Sequence, residues 1–274
     1  MYKFERLDVN IVYACNLSCK GCISLSNFDR KGLVKLSELT ESFEYWSKLI
    51  SPEIITLFGG EPTLHKDLLK ICRLIRYYWS DATIRLITNG YLLNKFEPSA
   101  WFELGNFELQ VSIHRKDHES IINKNITEIL HCKKDWKVKK VNKLSQHEQI
   151  NWTHKNFKLY KSIFKDFVEP FKFVDGKISP HNSNPQQAHA ICGSPSTPVL
   201  YKNKLYKCPV VANIMDITGE NWYNYKPCVG ADDLPKFISG INIPETVCGG
   251  CPSNDSAVII DHFDKENVIV KHFD

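Results

Sequence analysis

Apolar and polar residues alternate over Leu7-Asp8-Val9-Asn10-Ile11-Val12-Tyr13, a strand pattern that delivers the chain directly to Cys15. Behind Ser37, a good N-cap, Leu39, Phe43, Trp46, Leu49 and Ile50 recur at steps of three and four until Pro52 stops the run, which predicts a helix. A second strand, Ile54 to Phe58, opens into Gly59-Gly60-Glu61-Pro62, and Leu64, Leu68, Ile71, Cys72 and Ile75 mark the apolar face of the helix that follows. Thr83 to Ile87 and Phe107 to Ile113 read as a third and a fourth strand, with a helix expected between them. Ile121, Ile122, Ile126, Ile129 and Leu130 predict a further helix, and a short strand is expected near Trp136 to Val141. Strands alternating with helices imply parallel pairing through right-handed crossovers, an α/β sheet that periodicity leaves open or closed.

The turn-rich stretch Pro180 to Gln186 marks a boundary, giving expected units of 1–185 and 186–274. Beyond it, Val199 to Cys208 reads as a hairpin with Asn203-Lys204 at its turn, and the hairpin draws Cys192 and Cys208 together.

Composition narrows the function classes. Hydrophobic residues make up 43% and charged residues 24% of the 274, and no apolar run approaches the roughly 20 residues that span a bilayer. No leader pattern precedes the first strand, so a cytoplasmic protein is expected. The net charge of +4 owes much to Lys133, Lys134, Lys137, Lys139, Lys140 and Lys143, which read either as a solvated surface or as a site for an acidic partner such as nucleic acid. Ten cysteines in a reducing compartment point to metal or cluster ligation rather than disulfides.

Cys15, Cys19 and Cys22 place three thiols within eight residues, immediately after a strand. Three thiolates on one short loop can grip three corners of an iron-sulfur cubane and leave the fourth iron open to a ligand. A structural zinc site is the alternative, but no nearby Cys or His supplies its usual fourth ligand. Cys72 and Cys132 lie among apolar helical positions and read as core thiols.

The spacing C-x3-C-x2-C after the first strand, with Gly59-Gly60-Glu61-Pro62 after the second, resembles the radical S-adenosylmethionine (SAM) superfamily. That resemblance implies a partial parallel (β/α)6 barrel. It also implies a SAM-binding [4Fe-4S] cluster on Cys15, Cys19 and Cys22, and an external electron donor such as flavodoxin or ferredoxin. Gly59, Gly60, Glu61 and Pro62 would receive the methionine ammonium of SAM, while Thr88, Asn89 and Ser112 would reach its ribose and carboxylate; Thr88 and Ser112 read equally as solvated strand-end hydroxyls. His114 would face the substrate or be an ordinary loop histidine. Many members carry an aromatic residue just before the third cysteine, where this chain has Gly21, so one packing contact must come from elsewhere.

Five of the ten cysteines fall in the last 90 residues. Their arrangement around the hairpin resembles the twitch or SPASM extension of such enzymes, with Asn203 at the hairpin glycine. The resemblance implies a small cysteine-rich C-terminal domain with one auxiliary [4Fe-4S] cluster on Cys192, Cys208, Cys248 and Cys251, and Cys228 as the substitute ligand. Two functions compete. One is an enzyme that cleaves SAM to a 5′-deoxyadenosyl radical and abstracts hydrogen from a small molecule, a nucleotide-like compound or a peptide; dehydrogenation, isomerisation and peptide modification all stay open. The other is a non-enzymatic zinc-ribbon module that binds nucleic acid or protein.

Overall fold

A computed structural model describes residues 1–142 and 148–271. In chain order the first half contains β1 (Tyr2–Val12), β2 (Leu17–Cys19), α1 (Leu36–Trp46), β3 (Ile50–Gly59), α2 (Leu68–Tyr78), β4 (Thr83–Thr88), β5 (Phe107–Ile113) and α3 (Glu119–His131). Next come β6 (Lys137–Asn142), β7 (Glu148–His154), β8 (Phe157–Ile163), β9 (Asp166–Val168), β10 (Lys172–Val174), β11 (Lys177–Ser179) and α4 (Pro185–Ala190). The remainder holds β12 (Val199–Tyr201), β13 (Lys204–Tyr206), α5 (Pro209–Thr218), α6 (Leu234–Gly240), β14 (Ile259–Asp261) and β15 (Val268–Val270).

A nine-stranded sheet runs in the order β13-β12-β1-β3-β4-β5-β8-β7-β6. Its six central strands, β12 to β8, are parallel, and each flank is closed by antiparallel pairing. The α/β class is therefore as expected, and the hairpin β12–β13 extends the same sheet because β12 pairs with β1.

Alternation along the strands separates two faces. Leu7, Val9 and Ile11 of β1 join Ile55, Leu57, Leu86, Leu109 and the apolar sides of α1 to α3 in one core. On the other face, Asp8, Thr56, Arg85, Glu108 and Lys158 stand side by side across five strands. Arg6 donates to Asp8 at 2.6 Å and to Thr56 at 3.0 Å, while Arg85 and Lys158 grip Glu108 at 2.8 and 3.0 Å. Pairing satisfies these charges where burial would otherwise be costly.

Several local expectations differ from the structure. Lys35 takes the N-cap of α1 and Ser37 lies inside the helix, which ends at Trp46; Pro52 sits within β3, opposite Phe4. Between β4 and β5 the chain forms two 3-10 turns, Leu93–Lys95 and Pro98–Leu104, rather than one helix. Pro98 accounts for the break, since it holds Glu97 extended. The strand near residue 140 is β6, an antiparallel edge, and Lys137, Lys139 and Lys140 are exposed along it. Lys143 lies outside the described residues. The hairpin turn is centred one residue early, on Lys202 and Asn203, both left-handed. Asn203 also accepts from Ser42 and from the Trp46 indole, docking the turn on α1.

Candidate active site

Parallel strands bring their C-terminal ends to one side of a sheet, where ligand sites of such folds gather. Here those ends carry the cysteine loop after β1, Gly59-Gly60-Glu61-Pro62 at β3, Thr88-Asn89 at β4 and Ser112 on β5. Gly60 N–H donates to the Val12 carbonyl and Glu61 N–H to the Ala14 carbonyl, both at 2.9 Å. The glycines make this approach possible. A Cβ on Gly59 would fall 2.2 Å from the Val12 oxygen, and one on Gly60 would fall 2.0 Å from the Ala14 oxygen. The surface that requires glycine is thus the cysteine-bearing segment itself.

Glu61 is buried, and its carboxylate is already engaged within the protein. Oε1 accepts from Thr63 N–H at 2.9 Å and from the Thr63 and Thr88 hydroxyls at 2.6 Å each; Oε2 accepts from Asn89 N–H at 2.8 Å. Burial pushes the Glu61 carboxyl up, and these donors oppose the shift. Thr88 also accepts from Gly90 N–H, and Asn89 donates to the Asn16 side chain at 2.7 Å. Glu61, Thr88 and Asn89 therefore latch the ends of β3 and β4 to the cysteine loop. Ser112 is buried and stands opposite Ser162 of β8.

Burial raises all three loop thiols. Cys15 also feels the Glu61 carboxylate, Cys19 feels Cys22 and Cys15, and backbone N–H groups of Ser26, Ser24 and Leu25 favour the Cys22 thiolate. Three mutually repelling sulfurs suit a cationic metal core. Beside them Asn16 Nδ2, Ser26 Oγ and Asn27 Oδ1 are buried without partners among the described residues, and Ser26 Oγ lies 2.9 Å from the Cβ position of Gly60. These donors and acceptors fit a polar ligand held between the loop and the β3 turn.

The loop is fastened by sequence-distant residues that periodicity did not reveal. β15 pairs antiparallel with β2, placing Val268 opposite Cys19. His262 Nε2–H donates to the Lys20 carbonyl at 2.7 Å, and Lys271 N–H to the Asn16 carbonyl at 2.8 Å. Gly21 adopts φ +73°, and the space beside it is filled by Phe167 of β9, 3.3 Å from its Cβ position. The Phe167 ring stacks on His262 at 3.9 Å. His114 packs against Phe164, Phe167 and His262, with Nδ1 buried and without a hydrogen-bond partner among the described residues. Burial drives its pKa down to about 3, with His262 and His118 adding to the shift.

The C-terminal cysteines divide. Cys192, Cys208, Cys248 and Cys251 line one cavity with His189, Lys207, Val211 and Val247. Burial raises Cys251, and the other three thiols raise it further. Cys208 precedes α5, where Val210 and Val211 N–H groups favour its thiolate against a burial shift to about 12. Cys228 is elsewhere. Its backbone bridges to Leu205, its thiol faces the Gly230 carbonyl at 3.5 Å, and it packs in the main core. Cys72 is fully buried in that core, and Cys132 Sγ caps the Glu128 carbonyl at the end of α3. Among the described residues no three His, Cys, Asp or Glu side chains converge as a single-ion site, and no helix is long and apolar enough to cross a membrane.

Comparison with known proteins bears on this arrangement. The Radical SAM superfamily description matches residues 9–144. A GTP 3',8-cyclase of Campylobacter jejuni subsp. doylei is 31% identical over 119 residues, covering 43% of this chain and 37% of that protein. One of Psychromonas ingrahamii is 30% identical over 129 residues, 45% of this chain and 38% of that protein. The chain thus matches less than two fifths of the length of these curated relatives. BtrN, solved in complex with AdoMet and 2-DOIA, shares the fold with a TM-score of 0.55 over 93% of this chain and 96% of that chain, at 16% identity. On the cysteine loop, the glycine turn packed against it and the matched profile together, residues 9–144 of this chain belong to the radical SAM superfamily.

Proposed function

We propose that this chain reductively cleaves SAM at a [4Fe-4S] cluster held by Cys15, Cys19 and Cys22, and abstracts hydrogen from a small-molecule or nucleotide-like substrate. The observation that carries the reading is the packing of Gly59 and Gly60 onto Val12 and Ala14, which sets the β3 turn against the three-thiol loop. The cluster, once bound and reduced by an external donor, supplies the electron that breaks the SAM sulfonium bond. Glu61, Thr88 and Asn89 hold the turn and the loop in register, so that the Gly59 to Pro62 turn is placed to orient the methionine end of SAM. Phe167 and His262 wall the loop beside Gly21.

An auxiliary [4Fe-4S] cluster on Cys192, Cys208, Cys248 and Cys251 belongs to the same proposal, with residues 186–274 as the unit that carries it. Its support is that thiols from three separate segments, Cys192, Cys208 and the Cys248–Cys251 pair, line one cavity, from which Cys228 stands apart. The nucleotide-like substrate takes its support from the relatives named GTP 3',8-cyclase, whose similarity covers 43% of this chain. Anaerobic reconstitution tests the whole reading. About eight irons per chain and SAM-derived 5′-deoxyadenosine, lost in Cys19→Ala, are expected. Stoichiometric zinc with about four irons would remove the auxiliary cluster, and no cleavage by the fully loaded protein would remove the enzyme.

A further inference from the structure

Lys207 precedes Cys208 and is only 3% exposed. A lysine ammonium is rarely so buried unless it is paired. Its Nζ donates to the carbonyls of Gly240, Ile241 and Ile243 at 2.8, 3.0 and 2.8 Å, and pairs with Glu245 at 3.0 Å. Gly240 ends α6, so the ammonium caps the negative end of that helix. Glu245 is the N-cap of the turn Thr246–Gly250, and its carbonyl accepts from Cys248 N–H at 2.9 Å. Lys207 also lines the four-cysteine cavity, and its charge favours the Cys248 thiolate.

These contacts join two tasks in one side chain. Three neutral carbonyls and a single, 43% exposed carboxylate fasten the ammonium without cancelling its field inside the cavity. A cluster ligated by four thiolates becomes one charge more negative on reduction, so a fixed cation in a low-dielectric wall stabilises the reduced form. We infer that Lys207 is a positioning residue of the auxiliary cluster, fixing the Cys248 turn and holding the cluster's reduction potential up. The inference rests on the auxiliary-cluster reading above.

The test uses the full chain with its clusters reconstituted, and follows the second cluster's potential by redox titration with electron paramagnetic resonance. Lys207→Met is expected to shift the reduction equilibrium at least tenfold toward the oxidised form, about 59 mV downward for a one-electron couple. Glu245→Gln keeps the ammonium, removes its counter-ion and is expected to shift the potential upward; Lys207→Arg keeps the charge and stays near the parent value. Two clusters with an unmoved potential in Lys207→Met, or shifts of the same sign in Lys207→Met and Glu245→Gln, would overturn the inference alone. Should Lys207→Met lose the cluster, Glu245→Gln decides: an upward shift sustains the inference and an unchanged potential overturns it. Four irons per chain in the parent protein would overturn the auxiliary-cluster reading, and this inference with it.

Discussion

Replacing Glu61 by glutamine separates two roles that its place in the Gly-Gly-Glu-Pro turn allows. As a contact for SAM, the side chain would matter for ligand affinity and little for stability. As a latch, it would matter for stability first. Oε1 serves three donors and Oε2 serves Asn89 N–H. A glutamine can keep its carbonyl on the three, but its amide then meets the Asn89 N–H, donor against donor. Flipped, it meets three donors at once. The variant therefore loses one hydrogen bond to a charged acceptor, worth about 1.5–3 kcal/mol, and weakens three others by removing the charge. A net destabilisation of about 2–4 kcal/mol is expected, within the stability of a domain that folds at all. Urea unfolding followed by circular dichroism, at a fixed cluster state for both proteins, reads this as a lower midpoint at unchanged slope. SAM affinity by equilibrium dialysis supplies the other axis. A Glu61→Gln protein with the parent midpoint and weakened SAM binding would refute the latch.

Further outcomes follow from the same geometry. Gly60→Ala sets a methyl 2.0 Å from the Ala14 carbonyl oxygen, a backbone atom that cannot swing aside, so iron content should fall by the share of the first cluster while the far-ultraviolet spectrum persists. Cys248→Ser should lower iron content, whereas Cys228→Ser, whose thiol faces Gly230 away from the cavity, should leave it unchanged; equal losses would contradict the division of the two cysteines. Acid should destabilise the protein in part through His114. Its pKa lies near 3 in the fold, against about 6.5 unfolded, so between those values the unfolded chain holds a proton that the native chain does not. Stability present above pH 6.5 is lost as pH falls toward 3, by at most about 1.4 kcal/mol per unit. His114→Gln should flatten the dependence of the urea midpoint on pH between 7.5 and 5.5, and an unaltered dependence would count against a buried neutral imidazole.

The strands β1, β3, β4 and β5 were legible because each carries its own alternation or apolar run and ends at a recognisable turn. The three-cysteine loop and the glycine turn were legible for a different reason, since their spacing encodes chemistry. What local pattern cannot carry is pairing between distant segments. Nothing in Val199-Leu200-Tyr201 announces that it lies parallel to β1, and Leu17-Ser18-Cys19 is too short to signal a strand before its partner Val268–Val270 is known. The same limit hid the role of Glu61. Its neighbours in sequence suggest a ligand contact, whereas Thr88 at the end of β4 and Asn89 just after it, which it bonds, lie 27 and 28 positions away.

The partnership of β2 with β15 also sets a timetable for the living cell. Cys19 and Val268 meet across about 250 residues of chain, the kind of long-range contact that forms late. Until residues 268–270 have been synthesised, Leu17–Cys19 of β2 lacks the strand that pairs with it here, so the stretch carrying Cys19 is among the last to gain its backbone partner.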